Sequence, residues 1–320
     1  MMNKTDEIFK KMIADIMENG FSNEGQEVRP KWDDGTPAYT KKLFCVVNRY
    51  DLSEGLPILT LRKTNWKAAL DEILWIWQLK SNRVADLNSH IWDAWAKDGN
   101  IGKAYGYQLG KLDIYTDVTE EGLYKAFGKV PIHDYEGDST IYDKEYRNGG
   151  YYALHNKEKN AWELDQVNKV IYDLKVNPYS RRIMTNIYNF SDLHEMNLYP
   201  CAYSMTFNVS GNKLNAILNQ RSNDTIVANN WNVVQYALLV HMFAQVAGLE
   251  VGELVHVIAD AHIYDRHFEI AKKLLARESF APPKLVMNKN ITDFYKFSVE
   301  DFSVENYQFG ESVGRIPVAE

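Results

Sequence analysis

Two segments of this 320-residue chain are apolar on nearly every side of a helix. Residues 66–79 read WKAALDEILWIWQL, and residues 231–247 read WNVVQYALLVHMFAQVA. A helix without a polar face must be enclosed by other elements. The second segment is too short to span a bilayer, and it contains the polar residues Gln235, His241 and Gln245. We therefore expect both helices to be buried in one large core.

Short runs of alternating polarity supply the elements that would cover these helices. They read RIMTNIYN, AYSMTFNV and KLNAILNQ, and the turn SGN joins the last two. A further strand, ELVHVIAD, follows the second buried helix after Gly248, which is a good helix C-terminal cap. Amphipathic helices are predicted from a cap at Thr5 to Gly20, and over residues 162–176, where Asn177-Pro178 stops the helix.

These elements predict the α+β fold class, with a mixed β-sheet flanked by helices, one of them long and buried. No Pro/Gly/Ser-rich linker divides the sequence, so residues 1–320 are expected to form one domain. Residues 110–160 are rich in Gly, Asp and Tyr and have weak periodicity. They are predicted to form a loop-rich insertion.

Charge and cysteine content narrow the class of function. A net charge of −7 argues against a general nucleic-acid binder, because phosphate contacts require a basic face. Two cysteines cannot form a disulfide framework, which indicates a reducing, cytoplasmic location. His262 and His267 are five residues apart, which fits neither adjacent helical turns nor one strand face, so no metal site is predicted.

Glu72 lies within the first apolar helix, where its neighbours three and four residues away are Ala68, Ala69, Trp75 and Ile76. Burial there would raise the pKa of the carboxyl toward neutrality, which suits a general acid or base. The alternative is a structural glutamate that reaches solvent or caps a neighbour.

Cys201 and Arg221 stand at the two ends of the predicted hairpin, so its turn would bring them together. A nearby guanidinium group would lower the pKa of the thiol and supply the reactive thiolate. The alternative is a buried and inert cysteine.

Other polar residues have a functional and a structural interpretation. Arg221 and Ser222 would make a phosphate clamp. Asn232 would read the edge of a uracil or cap a helix. His262 and Tyr264 share one face if their strand continues. Arg181-Arg182 is a solvated basic pair or an anion site that acts across a subunit interface.

The order of these motifs closely resembles the thymidylate synthase family. The similarity covers nearly the whole chain outside the insertion and rests on DEILWIWQL, IWDAW with AYGYQLG, LDQVNKVIYDLKVNPYSRR, LYPCAY, NQRSND, NNWNVVQYALL, DAHIYDRH and the terminal PVAE. The resemblance implies reductive methylation of dUMP to dTMP by 5,10-methylenetetrahydrofolate, which is released as dihydrofolate. It also implies a homodimer formed through the sheet, and no metal.

The resemblance implies a role for individual residues in catalysis. Cys201 would add to C6 of the pyrimidine, which makes C5 nucleophilic. Glu72 would organise proton transfer through water, and Tyr105 would assist removal of the C5 proton. Asn232 would bind the uracil edge and Asp224 the pterin, while Arg221 would hold the phosphate and keep the sulfur ionised.

The resemblance also implies two larger sets of binding residues. The residues implied to bind dUMP are Arg29, Arg181 and Arg182 of the other subunit, Gln220, Arg221, Ser222, Asp224, Asn232, His262 and Tyr264. The residues implied to bind the folate are Asn65, Glu72, Ile91, Trp92, Trp95, Leu198, Asp224, Val227, Ala228, Trp231 and Ala319. The terminal segment 318–320 would close over the bound folate.

Some positions depart from the commonest family pattern. Ala202 follows the cysteine where histidine is frequent, and Asn230 replaces a proline. Ala228 and Trp231 would reshape the folate pocket. Arg29 is assigned by position, because the usual Arg-Thr-Gly loop is replaced by EVRPKWDDGTPA.

Two other functions are compatible with many of these residues. A pyrimidine hydroxymethylase of the same fold would let water capture the exocyclic methylene, and Trp92 and Trp231 argue against it because they would exclude water. Asn232 disfavours the version specific for cytosine. A catalytically inactive nucleotide-binding regulator would not need Cys201, Glu72 and Asn232.

Overall fold

A computed structural model of the chain describes residues 3–319. The helices are α1 (Lys4–Asn19), α2 (Trp66–Trp77), α3 (Gly106–Leu109), α4 (Glu120–Phe127), α5 (Asp143–Arg147), α6 (Gln166–Val176), α7 (Asn229–Ala247) and α8 (Phe268–Ala276). The strands are β1 (Phe21–Ser22), β2 (Thr40–Asp51), β3 (Leu112–Tyr115), β4 (Ile132–Tyr135), β5 (Ala153–Asn156), β6 (Ala161–Asp165), β7 (Met184–Asn186), β8 (Ala202–Ser210), β9 (Lys213–Gln220), β10 (Asn223–Asp224), β11 (Glu250–Tyr264), β12 (Lys284–Met287) and β13 (Phe302–Glu305).

A seven-stranded sheet forms the frame of the molecule, in the order β1-β2-β11-β9-β8-β7, with β10 paired to β11. The sheet is mixed, because β11 runs antiparallel to β2 and parallel to β9 and β10. The α+β class predicted from the sequence is confirmed. Among the described residues, no helix is long and apolar enough to cross a membrane.

Both apolar helices are buried in the main core, as predicted, and they pack against each other. The Trp77 ring of α2 meets Tyr236 and Phe243 of α7, with ring centroids 6.4 and 5.9 Å apart. Helix α7 ends at Gly248, which takes the left-handed conformation with φ +69°. Near its N-terminus, α7 contacts the middle of α2, because Trp231 and Gln235 donate hydrogen bonds to Glu72.

Three details differ from the predicted elements. Asn3 caps α1, because its side-chain oxygen accepts from the backbone N–H of Thr5, so Thr5 is not the cap. Residues 162–165 belong to β6 and not to the following helix, because they pair with β3 and β5 and the Asp165 carboxylate caps α6. Strand β11 continues four residues past the predicted end, to Tyr264.

The region predicted to be a loop-rich insertion contains regular structure. Strands β3, β4 and β5 form a four-stranded sheet with β6, in the order β3-β6-β5-β4, and α4 and α5 lie within the same region. The strands are four or five residues long, which is too short for their periodicity to stand out.

Strand β2 was not predicted from the sequence, although it is twelve residues long. Phe44 is 88% exposed in its middle, and Cys45 has φ +60°, so the alternation of buried and exposed side chains is broken.

Asn230 joins the start of α7 to the chain segment ahead of α2. Its side chain accepts from the Leu59 N–H at 3.0 Å and the Thr64 hydroxyl at 2.7 Å, and donates to the Pro57 carbonyl at 3.0 Å. All four residues are buried. The Asn230 amide therefore supplies hydrogen-bond partners to three buried polar groups that water cannot reach.

We expect Asn230→Ala to lower the free energy of unfolding by about 3 kcal/mol, since buried polar groups are left without partners. Chemical denaturation measures the change. Asn290→Ala is the matched control, because Asn290 is exposed, and it should change stability by less than about 0.5 kcal/mol. Equal stability of the two variants would contradict this role of Asn230.

Candidate active site

The β8–β9 hairpin brings Cys201 and Arg221 together, as predicted. Its register runs from Ser210 opposite Lys213, at the turn, to Ala202 opposite Gln220, at the open end. There the Arg221 N–H donates to the Cys201 carbonyl at 2.9 Å, and the guanidinium Nη2 lies 3.7 Å from the Cys201 Sγ. The guanidinium also donates to the carbonyls of Tyr199 and Pro200, at 2.8 and 3.0 Å, which holds it beside the sulfur.

The expected ionisation of the sulfur by arginine is corrected by the structure. Burial raises the pKa of the Cys201 thiol, and the charges of Arg221 and Arg29 lower it by less than burial raises it. Within the single chain, the balance of burial and the two arginine charges favours the neutral thiol over the thiolate. Because the cation is adjacent, any step that ionises the sulfur is stabilised as it occurs.

Tyr105 approaches the same cysteine from a different segment. Its hydroxyl oxygen accepts from the Cys201 backbone N–H at 3.2 Å, and its ring lies 5.0 Å from the Trp92 ring. Burial raises the pKa of Tyr105 well above its ordinary value, so the phenol keeps its proton. Tyr105 has φ +47°, a strained conformation that aims the side chain into the site.

Glu72 is buried in α2, and its carboxylate accepts three side-chain N–H bonds. Trp92 Nε1 donates at 2.8 Å, Trp231 Nε1 at 2.6 Å and Gln235 Nε2 at 2.8 Å. Burial raises the pKa of Glu72 to about 7, and the three donors oppose that rise. The predicted shift toward neutrality is confirmed, and the group is suited to proton transfer at neutral pH.

Asn232 lies one turn inside α7, so it does not cap the helix, whose N-cap residue is Ala228. The Asn232 amide has a polar partner on each side. Its Oδ1 accepts from Gln220 Nε2 at 3.0 Å, and its Nδ2 donates to Gln235 Oε1 at 3.1 Å. The amide has one further N–H for a ligand, and the second contact of its Oδ1, with Asn223 Nδ2, is a long one of 3.5 Å.

His262 and Tyr264 lie on the same side of β11, as predicted from the strand alternation, with ring centroids 5.0 Å apart. The Asp260 carboxylate accepts from His262 Nδ1 at 2.8 Å, which leaves the other ring nitrogen for a ligand. Burial raises the pKa of Tyr264 to about 12, so its hydroxyl stays protonated.

Asp224 on β10 stands beside His262 in the parallel pairing. Its Oδ1 accepts from the N–H groups of Ile226 and Val227, each at 3.0 Å, and lies 3.7 Å from His267 Nδ1. His267 in turn donates from Nε2 to the Pro317 carbonyl at 2.8 Å, so this carboxylate and the C-terminal segment share one buried histidine.

The residues expected to contact a folate lie at the edge of the main core. Trp92, Trp95, Leu198 and Trp231 pack in the same cluster, and the Trp92 and Trp95 rings are 5.7 Å apart. The remaining ones are more open. They are Ile91, which is 38% exposed, Asn65, the exposed N-cap of α2, and Val227, Ala228 and Ala319, which are half-buried.

Arg29 is exposed, and its positive charge lowers the pKa values of Cys201 and Tyr264, so it belongs to the same region. Ser222 follows Arg221 directly and is half-buried.

Arg181 and Arg182 do not approach Cys201 within the chain. The Phe207 N–H donates to the Ile183 carbonyl, so these arginines lie near the turn end of β8, about 20 Å along the strand from Cys201.

Two polar residues of the site were missed in the sequence. Gln235 was treated as a polar interruption of an apolar helix, although it follows Asn232 by three residues and therefore shares its face. His267 was considered only as a metal ligand. Within residues 3–319, no group of three or more His, Cys, Asp or Glu residues is placed to hold a metal ion.

Known proteins of one family resemble this chain over nearly its whole length. The family model described as thymidylate synthase matches residues 7–319. The chain is 40% identical over 317 residues to the thymidylate synthases of Bacillus subtilis subsp. natto and of Bacillus phage phi3T, covering 98% of each chain. It is also similar to the solved structure of thermostable thymidylate synthase A from Bacillus subtilis, with a TM-score of 0.81, 38% identity, and 98% and 99% of the two chains covered.

We expect Arg221→Met to raise the pKa of the Cys201 thiol by about one unit, because it removes the nearest positive charge. The pH dependence of thiol alkylation measures the shift, and its midpoint should move to higher pH. The experiment uses a Cys45→Ser background, since Cys45 is exposed. Arg83→Met, at an exposed arginine, is the control. An unchanged midpoint in Arg221→Met would show that the guanidinium does not act on the sulfur.

Proposed function

This chain belongs to the thymidylate synthase family, and from that membership we propose how its own residues carry out the family reaction. That reaction is the reductive methylation of dUMP to dTMP, in which 5,10-methylenetetrahydrofolate supplies the one-carbon unit and the hydride and leaves as dihydrofolate. The chain is thus a methyltransferase of deoxynucleotide biosynthesis with a folate co-substrate.

The observation that carries the assignment of residues is the contact between the Cys201 Sγ and the Arg221 guanidinium at 3.7 Å. We propose that Cys201 adds to C6 of the uracil ring, so that C5 becomes the nucleophile. As the S–C6 bond forms, the thiol proton passes through water to O4 of the uracil, so the ring becomes a neutral enol with a nucleophilic C5. Arg221 stabilises the negative charge on the sulfur while the proton leaves. A protonated resting thiol is consistent with this order of events.

Glu72 and Tyr105 are proposed to take part in the proton transfers of the reaction. With a pKa of about 7, Glu72 can accept or give a proton through water at O4 of the uracil or at the folate nitrogen. Tyr105 keeps its proton and lies beside Cys201, so its hydroxyl oxygen is available to guide removal of the C5 proton.

Nucleotide recognition is proposed for the polar groups around the cysteine. Asn232, oriented by Gln220, would pair with the O4 and N3–H edge of uracil. His262 and Tyr264 would bind the ribose 3′-hydroxyl, because their polar groups lie together on β11. Arg221, Ser222 and Arg29 would bind the phosphate.

Folate binding is proposed along the aromatic edge of the core. Ile91, Trp92, Trp95, Leu198, Val227, Ala228 and Trp231 would form its apolar wall, with Asn65 at the entrance and Asp224 binding the pterin. Ala319 would close over the folate, and the His267 bond to Pro317 places that segment beside Asp224. Glu320, the other end of the expected closing segment, lies outside the described residues.

We also propose that the chain acts as a homodimer in which each subunit donates Arg181 and Arg182 to the other site. These arginines lie about 20 Å along β8 from their own Cys201, farther than an arginine side chain reaches. The outward face of the large sheet supports pairing, because Val47, Ile217 and Met184 are 48%, 38% and 51% exposed on it.

The small sheet is proposed to belong to the same domain as the large one, so that residues 1–320 form one unit. The ion pair of partly buried Lys80 with buried Asp165, at 2.6 Å, and the bond from the Tyr295 hydroxyl to Asn168 of α6, at 2.6 Å, join the small-sheet region to the rest of the chain. A cytoplasmic location stays a prediction.

We expect Cys201→Ala to bind dUMP with about wild-type affinity and to form no dTMP, because only the nucleophile is removed. Calorimetry with dUMP measures binding, and the absorbance of dihydrofolate follows turnover. The wild-type assay also separates the hydroxymethylase alternative, since water capture would release tetrahydrofolate without that signal. Normal turnover by Cys201→Ala would refute the proposed nucleophile.

The shared site is tested by mixing two inactive variants, Cys201→Ala and Arg181→Ala. A hybrid dimer has one site that carries neither change, so mixing under exchange conditions should restore up to about a quarter of wild-type activity. A mixture of Cys201→Ala with Glu72→Ala is the control. Both residues act within their own chain, so these hybrids have no intact site. If verified mixed dimers of the first pair remain inactive, the arginines do not act across the interface.

A further inference from the structure

A continuous chain of hydrogen bonds links the buried His256 to Glu72. His256 Nε2 contacts Gln220 Oε1 at 2.7 Å, and Gln220 Nε2 donates to Asn232 Oδ1 at 3.0 Å. Asn232 Nδ2 donates to Gln235 Oε1 at 3.1 Å, and Gln235 Nε2 donates to Glu72 Oε2 at 2.8 Å. His256, Gln220, Gln235 and Glu72 are buried and Asn232 is half-buried, so each amide has few other partners.

The charge of Glu72 sets the direction of every bond in this chain. An ionised carboxylate only accepts hydrogen bonds, so Gln235 must turn its NH₂ group toward Glu72 and its oxygen toward Asn232. Asn232 then turns its NH₂ toward Gln235 and its oxygen toward Gln220. His256 can complete the chain as a donor, because burial lowers its pKa to about 3 and the neutral ring carries its hydrogen on either nitrogen.

A protonated Glu72 allows the opposite direction. Its O–H can donate to Gln235 Oε1, which turns the Gln235 NH₂ toward Asn232 and the Asn232 NH₂ toward Gln220. Gln220 would then donate to His256 Nε2, with the ring hydrogen on Nδ1, an atom that has no partner among the described residues. Asn223 Nδ2 also contacts Asn232 Oδ1, at 3.5 Å, which favours the first direction.

We propose that Gln235 is a positioning residue that makes the nucleobase preference of the site depend on the charge of Glu72. The inference rests on the proposed contact of Asn232 with the uracil edge. Uracil presents an acceptor at O4 and a donor at N3, whereas cytosine presents a donor at N4 and an acceptor at N3. In the first direction, the Asn232 NH₂ can donate to O4 of uracil and its oxygen can accept from N3–H. When the amide is reversed, its oxygen can accept from N4–H of cytosine and its NH₂ can donate to N3.

The two tyrosines that face Glu72 do not change charge near neutral pH. Asp71 precedes it on α2, and Tyr105 and Tyr236 face it from other elements. Burial raises the pKa values of both tyrosines far above neutral, so they remain uncharged. Among the five hydrogen-bonded residues from His256 to Glu72, Glu72 is the one whose charge changes near pH 7, because its pKa is about 7 and that of His256 is about 3. The pKa of His267 is also raised from its ordinary value, but His267 contacts Asp224 and the Pro317 carbonyl and does not belong to this row.

The test measures the dissociation constants of dUMP and dCMP by calorimetry at several pH values. The phosphate titrates equally in both nucleotides, so it cancels in their ratio. For the wild-type chain we expect the preference for dUMP to fall about tenfold between about pH 8.5 and pH 6. Gln235→Met keeps the volume of the side chain but removes its hydrogen bonds to Glu72 and Asn232. In this variant the ratio of the dUMP and dCMP dissociation constants should not vary with pH.

Trp231→Phe is the matched control. It removes another N–H donor from the same Oε2 atom of Glu72 and leaves the bond between Gln235 and Asn232 in place. Its ratio should still vary with pH, with the midpoint moved upward because the carboxylate has lost a donor. Thermal unfolding verifies that each variant is folded. If Gln235→Met does not fold, Glu72→Gln takes its place, and its ratio should also be independent of pH.

A wild-type ratio that is constant with pH would overturn the inference, and so would a folded Gln235→Met variant that keeps the wild-type pH dependence. Failure of the proposed function is detected by a different measurement from failure of this inference. It would appear as an absence of dTMP formation by the wild-type chain, whereas the nucleotide dissociation constants are measured without methyl transfer.

Discussion

The buried carboxylate of Glu72 is the constraint on which the site depends. A charge in the interior is tolerated only when donors surround it, and here the donors come from Trp92, Trp231 and Gln235. Because Glu72 lies on α2, Trp92 in a following loop and the other two on α7, these bonds fix the relative position of three segments. The group that moves protons therefore also aligns the two buried helices.

The second organising feature is the β8–β9 hairpin, which places a cation beside a sulfur by backbone pairing alone. Burial and the guanidinium charge act in opposite directions on the thiol, and burial has the larger effect. Cys201 is thus held as a neutral thiol in an environment that stabilises its anion at the moment of attack.

Local pattern was sufficient for several parts of the site. The apolar neighbours of Glu72, the hairpin between Cys201 and Arg221, and the alternation that pairs His262 with Tyr264 are all encoded within about twenty residues. Strand β2 was missed because Phe44 and Cys45 interrupt its alternation. The charge state of the thiol was mispredicted because burial depends on tertiary packing, and Gln235 was missed because its partner Glu72 is 163 positions away.

The linked amides between His256 and Glu72 have a consequence for how this chain can change during evolution. Each amide side chain keeps its orientation only while the neighbouring amides keep theirs. A single replacement between His256 and Glu72 therefore disturbs every remaining hydrogen bond of the series. The effects of substitutions at Gln220, Asn232 and Gln235 should therefore be strongly non-additive. A lineage that altered its base preference would have to replace several of these positions together, or pass through intermediates of low fitness.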